Sequence, residues 1–181
     1  MPNWCCNKIR IRAKKTTLEA MKEAVKGVDY IRPFDFEKKQ NGDMTPVDCI
    51  FCFHSIIPQP DEILDPEDPR RKAKMSSDEI LERLSDKSDK VMPEWWSWRV
   101  NNWGTKWSVN SDNTNFIEKK GSITYCFDTA WAPPEPVISE LSYKFPDAEI
   151  LLSFYEPGCI GRGSMTFKGG EVIKATGAGL E

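Results

Sequence analysis

Cys5-Cys6-Asn7-Lys8-Ile9-Arg10-Ile11-Arg12-Ala13 changes character at every step. Cys5, Asn7, Ile9 and Ile11 fall on one side, and Cys6, Lys8, Arg10 and Arg12 on the other. A period of two is that of a strand. The pattern predicts one wet, basic face and one face turned inward. Behind it, Leu18, Met21, Ala24, Val25 and Val28 recur at helical spacing. Thr16 or Thr17 is the expected cap, and Gly27 stands where the helix should end. A strand followed by a helix opens the fold.

Further along, residues 29–48 read as a polar connection with turns at Asn41-Gly42 and Thr45-Pro46. Residues 48–57, Asp-Cys-Ile-Phe-Cys-Phe-His-Ser-Ile-Ile, are nearly continuously apolar, which predicts a central strand ended by Pro58 and Pro60. Residues 61–92 have the mixed charge of an insertion, with a short helix capped by Ser76 or Ser77. Strands are predicted over 115–119 and 123–128. Pro133, Pro134 and Pro136 introduce a second helix carrying Val137, Ile138, Leu141 and Tyr143. Residues 149–155 form a strand, 158–163 a glycine-rich loop, and 165–175 a hairpin around Gly169-Gly170. The order β-α-β, insertion, β-β-α-β, hairpin predicts an α+β ferredoxin-like sandwich. It has an antiparallel sheet with two helices on one face. One domain covers 1–176, with an insertion at about 61–92 and a flexible tail over 177–181.

The chain has 181 residues, enough for one such domain with a normal core. A net charge of −3 gives no general attraction to nucleic acid or anionic membranes. The charge is uneven, since residues 1–40 hold ten bases and five acids. No stretch approaches the ~20 apolar residues of a membrane span. The opening residues lack the pattern of a signal peptide. The expectation is a cytosolic protein, with its six cysteines as thiols.

Several short phrases carry a family likeness. They are Pro2-Asn3-Trp4-Cys5 followed by Asn7, Ile56-Ile57-Pro58-Gln59-Pro60, Asn102-Trp103-Gly104-Thr105-Lys106-Trp107, Thr129-Ala130-Trp131-Ala132-Pro133-Pro134, and Tyr155-Glu156-Pro157-Gly158. Together, from Met1 to about Gly163, the chain resembles the YubB-like proteins of phages and plasmids. That resemblance implies a ferredoxin-like domain and a mobile-element origin, and it implies no reaction. The chain departs from the family pattern in residues 61–92 and in the loop 158–164.

The candidate chemistry is sparse. Cys49-x-x-Cys52-x-His54 would need four convergent ligands for zinc, or cysteines at a helix N-terminus for redox work. In a strand, residues three apart face opposite ways. Buried structural thiols are therefore the expectation, with no metal and no cofactor. His54, the only histidine, reads as structural. Glu156, Asp128 and Glu135 stand where active-site acids often lie, but the default for each is a solvated charge. The loop 158–164 lacks the lysine of a phosphate-binding Walker loop, and no helix follows it.

The remaining feature is Trp95-Trp96-Ser97-Trp98-Arg99-Val100-Asn101-Asn102-Trp103-Gly104-Thr105-Lys106-Trp107, which holds most of the chain's seven tryptophans. Trp103 and Trp107, around Gly104, are predicted as core anchors together with Trp131. Trp96 or Trp98 with Arg99, Asn101, Asn102 and Lys106 is predicted as an exposed rim and partner site. The functional expectation is a non-enzymatic accessory protein of a phage or plasmid that binds a host or phage macromolecule, a protein foremost. The alternative is a single-stranded nucleic-acid-binding module, to which Lys8, Arg10 and Arg12 would contribute. An enzyme using carboxylates comes third.

Overall fold

A computed structural model of the chain describes residues 3–31, 34–35, 40–41, 44–65, 68–73, 94–109, 114–158 and 160–177. β1 (Trp4–Arg12) leads into α1 (Lys15–Ala24). Then come β2 (Gly27–Ile31), β3 (Phe34–Asp35), β4 (Gln40–Asn41), β5 (Thr45–Cys49), α2 (Phe53–Ile56), a 3₁₀ turn at Asp61–Ile63, α3 (Pro69–Lys72) and α4 (Glu94–Trp103). The chain closes with β6 (Asn115–Lys119), β7 (Ser122–Ala130), α5 (Glu135–Lys144), β8 (Glu149–Glu156), β9 (Gly161–Lys168) and β10 (Glu171–Gly177).

The main sheet runs β10-β9-β8-β1-β7-β6, antiparallel at every pairing. β1 lies inside it, with Ile9 opposite both Tyr125 and Leu152. The alternation read along β1 is realised: Cys5, Asn7, Ile9 and Ile11 are buried, whereas Trp4, Cys6, Lys8 and Arg12 are exposed. β8-β1-β7-β6 is the strand order of a split β-α-β pair. The hairpin β9–β10 extends it by two strands.

Two sequence readings change. The predicted central strand over 48–57 is not one. β5 ends at Cys49, the chain bends, and residues 53–56 form α2. A short apolar run does not distinguish a strand from a buried helical turn. Here Phe51, Phe53 and Ile56 are buried without joining the main sheet. The strand completing the first β-α-β half is β6, so everything between α1 and β6 lies in one long connection. That connection holds the separate β2–β5 pair. The second change is at α1, which begins at Lys15 with Lys14 as N-cap and no side-chain cap bond, rather than at Thr16 or Thr17. The helix predicted after Ser76 lies outside the described residues.

One face of the sheet packs the core. Ile9, Ile11, Ile123, Phe127, Ile150, Leu152 and Phe167 meet Leu18 and Met21 of α1 and Val137, Ile138 and Leu141 of α5. The inserted connection adds an aromatic cluster. Phe51 stacks on Phe127 at 5.2 Å and Tyr125 at 4.9 Å, and Phe53 meets Trp103 edge-on at 5.8 Å. No described element covers the other face, and the site is built there.

Candidate functional site

Register places the side chains of the open face row by row. Along β1 run Trp4, Cys6, Lys8, Arg10 and Arg12. Tyr155 of β8 lies opposite Cys6, and Arg162 of β9 opposite Tyr155. On the other flank Asp128 lies opposite Cys6, and Thr124 opposite Arg10. The strip is basic over Lys8, Arg10 and Arg12 and aromatic at the Trp4–Tyr155 end. Arg12 is steered by Glu149 at 3.8 Å, an exposed pair of small energetic weight. A hydrogen bond to Asp128 pushes the Cys6 thiol pKa up.

The aromatic end is where the separately read phrases meet. Trp107 packs against Trp4 with ring centroids 6.0 Å apart, and the Lys106 ammonium sits 4.1 Å over the Trp107 ring. Such a contact adds about 0.5–1 kcal/mol at an exposed site. Arg162 approaches the Tyr155 ring at 5.9 Å. Trp131 follows Ala130, the residue paired with Trp4, and its backbone N–H donates to the Asn3 carbonyl at 2.9 Å. Among the described residues Trp131 is the one non-glycine with positive φ, at 74°. That conformation costs on the order of 1–3 kcal/mol and persists only where its surroundings enforce it. Here a buried chain enforces it. Asn7 Nδ2 donates to Thr129 Oγ1 at 2.8 Å, and Thr129 Oγ1 donates to the Ala132 carbonyl at 2.7 Å. Thr105 Oγ1 donates to the Ala130 carbonyl at 2.9 Å. Gly104 (φ +78°) permits this approach, because a Cβ there would lie 2.9 Å from the Pro133 carbonyl oxygen. Buried polar groups thus display an exposed indole.

The residues singled out in the tryptophan stretch divide. Trp103 is fully buried, and its indole N–H donates to the Ile57 carbonyl at 2.9 Å. Trp107 (39% exposed) and Trp131 (48% exposed), read as core anchors, stand outside the core. The reason is that α4 ends at Trp103 and the chain turns at Gly104, so helical spacing does not carry on to Trp107. Arg99, read as rim, is 7% exposed. It is held between the Trp95 and Trp103 rings at 5.2 and 4.9 Å and donates from Nε to Gln59 Oε1 at 2.8 Å. Trp96 and Trp98 are half-buried, and Trp98 meets Trp103 edge-on at 5.8 Å. Asn102 donates to the Trp98 carbonyl at 2.8 Å, while Asn101 is exposed. The predicted rim therefore does not assemble into one surface. Trp4, Tyr155 and Arg162 were missed as site residues, although strand parity from the Lys8–Arg12 alternation places Trp4 on the basic face.

The carboxylates are scattered. Glu156 is buried and accepts from the N–H groups of Gly158 at 2.7 Å and Ile160 at 2.9 Å, closing the turn after β8. Asp128 is exposed. Burial pushes the Glu135 carboxyl pKa up. Cys49 and Cys52 are buried thiols, neither in a disulfide. Cys52 caps α2 instead of lying within a strand. Its pKa is pushed down to about 7, foremost by a hydrogen bond with Cys49, against the opposing effect of burial. No group of three or more His, Cys, Asp and Glu able to hold a metal converges among the described residues. Nor is any described helix long and apolar enough to cross a membrane.

Comparison with known proteins addresses the fold. Residues 102–178 match the family model described as "Ferredoxin-like domain in Api92-like protein". The chain carries a ferredoxin-like domain. The crystal structure of a protein Api92 from Yersinia pseudotuberculosis is similar over 100% of this chain and 99% of that one, with a TM-score of 0.53 and 14% identity. At that identity the likeness is one of fold. No curated protein matches the chain.

Proposed function

We propose that this ferredoxin-like domain is a non-enzymatic binding module whose open sheet face holds single-stranded nucleic acid. The observation that supports it is the strip along β1. Trp4, Cys6, Lys8, Arg10 and Arg12 alternate onto one uncovered face, with Tyr155 and Arg162 beside them. A basic track supplies the sequence-independent attraction to phosphates, and aromatic rings offer stacking surfaces to any base. Trp4 to Arg12 spans about 26 Å at ~3.3 Å per residue, room for roughly four nucleotides. The net charge of −3 does not oppose this. Charges beyond a Debye length of about 10 Å are screened, so the strip acts through its own Lys and Arg side chains.

The YubB-like resemblance adds a setting, an accessory protein of a phage or plasmid working in the host cytoplasm. A protein partner is the second reading. It draws on exposed Asn101 and the half-buried Trp95 and Trp96 along α4. Filter binding with single-stranded RNA and DNA at low salt tests the first reading. Retention at micromolar protein or below is expected, and no retention ends it. Nuclease-insensitive recovery of a stoichiometric protein from host lysate would favour the second.

A further inference from the structure

Beside the aromatic–basic strip, the sheet curls into a trough of about 440 Å³. One row of the sheet crosses it: Arg10 lies opposite Leu151, Leu151 opposite Thr166, and Thr166 opposite Lys174. The next row adds Ser164 opposite Thr176, whose hydroxyls share a hydrogen bond of 2.8 Å and so leave one O–H free to donate outward. The register of β10 shifts between Val172 and Lys174, and Ile173 forms an apolar wall. Arg10 and Lys174 stand three inter-strand gaps apart, about 14 Å between backbones. Their long side chains can reach toward each other over the Leu151–Thr166 floor.

The chemistry of the lining is that of an anion site. Arg10, Arg12 and Lys174 face a single carboxylate, Glu149, which Arg12 already engages at 3.8 Å. The Arg10 Nε–H is buried and has no hydrogen-bond partner in the described structure. A buried donor left unpaired is unfavourable, and the Arg10 guanidinium that carries it lines the trough. A guanidinium, an ammonium and several hydroxyls suit the three oxygens and double charge of a phosphate monoester better than the single charge of a diester. An apolar floor and wall beside these donors suit an attached sugar or other carbon group.

We infer that this trough is a binding site for a phosphate monoester, either the terminal phosphate of a strand lying on the neighbouring strip or a free one. The strand-end assignment rests on the reading of the open face given above, whereas the phosphate site stands on its own lining. NMR titration of the full chain with inorganic phosphate is the test. Saturable shifts at the Ser164, Thr166 and Thr176 amides are expected, weaker with dimethyl phosphate and at least tenfold less sensitive in Lys174→Ala. Shifts that do not saturate, or that persist unchanged in Lys174→Ala, overturn the site, even if single strands bind. Anisotropy titrations with oligonucleotides bearing a terminal phosphate or only hydroxyl ends then separate the sources. A preference of about tenfold for the phosphorylated strand, lost in Lys174→Ala, assigns the site to strand ends. Equal affinities alongside phosphate saturation assign it to free monoesters. Phosphate saturation without strand binding keeps the site and removes the strand reading.

Discussion

Trp103 and Trp107 are four residues apart and occupy opposite environments. Trp103 lies among Phe53, Trp98 and the Arg99 guanidinium, with its N–H bonded to the Ile57 carbonyl. Trp107 lies at the surface against Trp4, with an ammonium over its ring. The same contrast holds for the whole sheet. Its covered face is apolar and aromatic, and its open face is basic with aromatics at one end. Aromatic density in the sequence therefore marks two different things, a core built by the inserted connection and a display surface at the end of β1. The Gly104 turn separates them.

The contrast is broken most severely at the core. Trp103→Ala should cost about 3–5 kcal/mol in a denaturant melt, while Trp107→Ala should cost under about 1 kcal/mol. Equal losses would mean that the two indoles do not differ in role. On the open face the order reverses. Trp4→Ala and Tyr155→Ala should each weaken single-strand binding by about 1–3 kcal/mol, the range for one lost stack, while leaving the melt nearly unchanged. Smaller again is the electrostatic share. Lys8→Ala or Arg12→Ala should lower the slope of log affinity against log salt by roughly 0.7–1 for each phosphate contact removed. An unchanged slope would take that residue out of the track.

The smallest effect belongs to the covered side. Burial pushes the His54 pKa below its ordinary 6.5, and its Nδ1 accepts the Gln59 N–H at 3.2 Å, as a neutral ring does. The unfolded chain then takes up a proton at higher pH than the folded one. Stability should therefore fall as pH drops from about 7 through the depressed folded pKa, and this part of the loss should vanish in His54→Gln. The imidazole resonance of this only histidine reads the pKa directly, and a value above 6.5 would contradict the burial argument.

Much of the fold was legible because β1, β7, β8 and the helices α1 and α5 carry their own periods. The Lys8–Arg12 alternation alone separated the two faces. The segment 48–57 was not legible, since its apolar side chains are buried in a bend and a short helix, and burial leaves no period in so short a run. The site was half legible. Lys8, Arg10 and Arg12 came from parity. Trp4 follows from the same parity, two residues before Cys6 on β1, whereas Tyr155 meets Cys6 only through strand pairing, which local sequence does not encode. Arg99 was misplaced because a charge beside tryptophans reads as surface, whereas here two rings and Gln59 hold it inside.

The open face, not the tryptophan helix, is the proposed binding surface. Photocrosslinking to a short single strand containing 4-thiouridine, followed by mass spectrometry, locates the contact directly. Adducts at Trp4, Tyr155 or the Lys8–Arg12 strip are the predicted result. Adducts confined to Trp95, Trp96 or Asn101 on α4, or none at saturating protein, would contradict it.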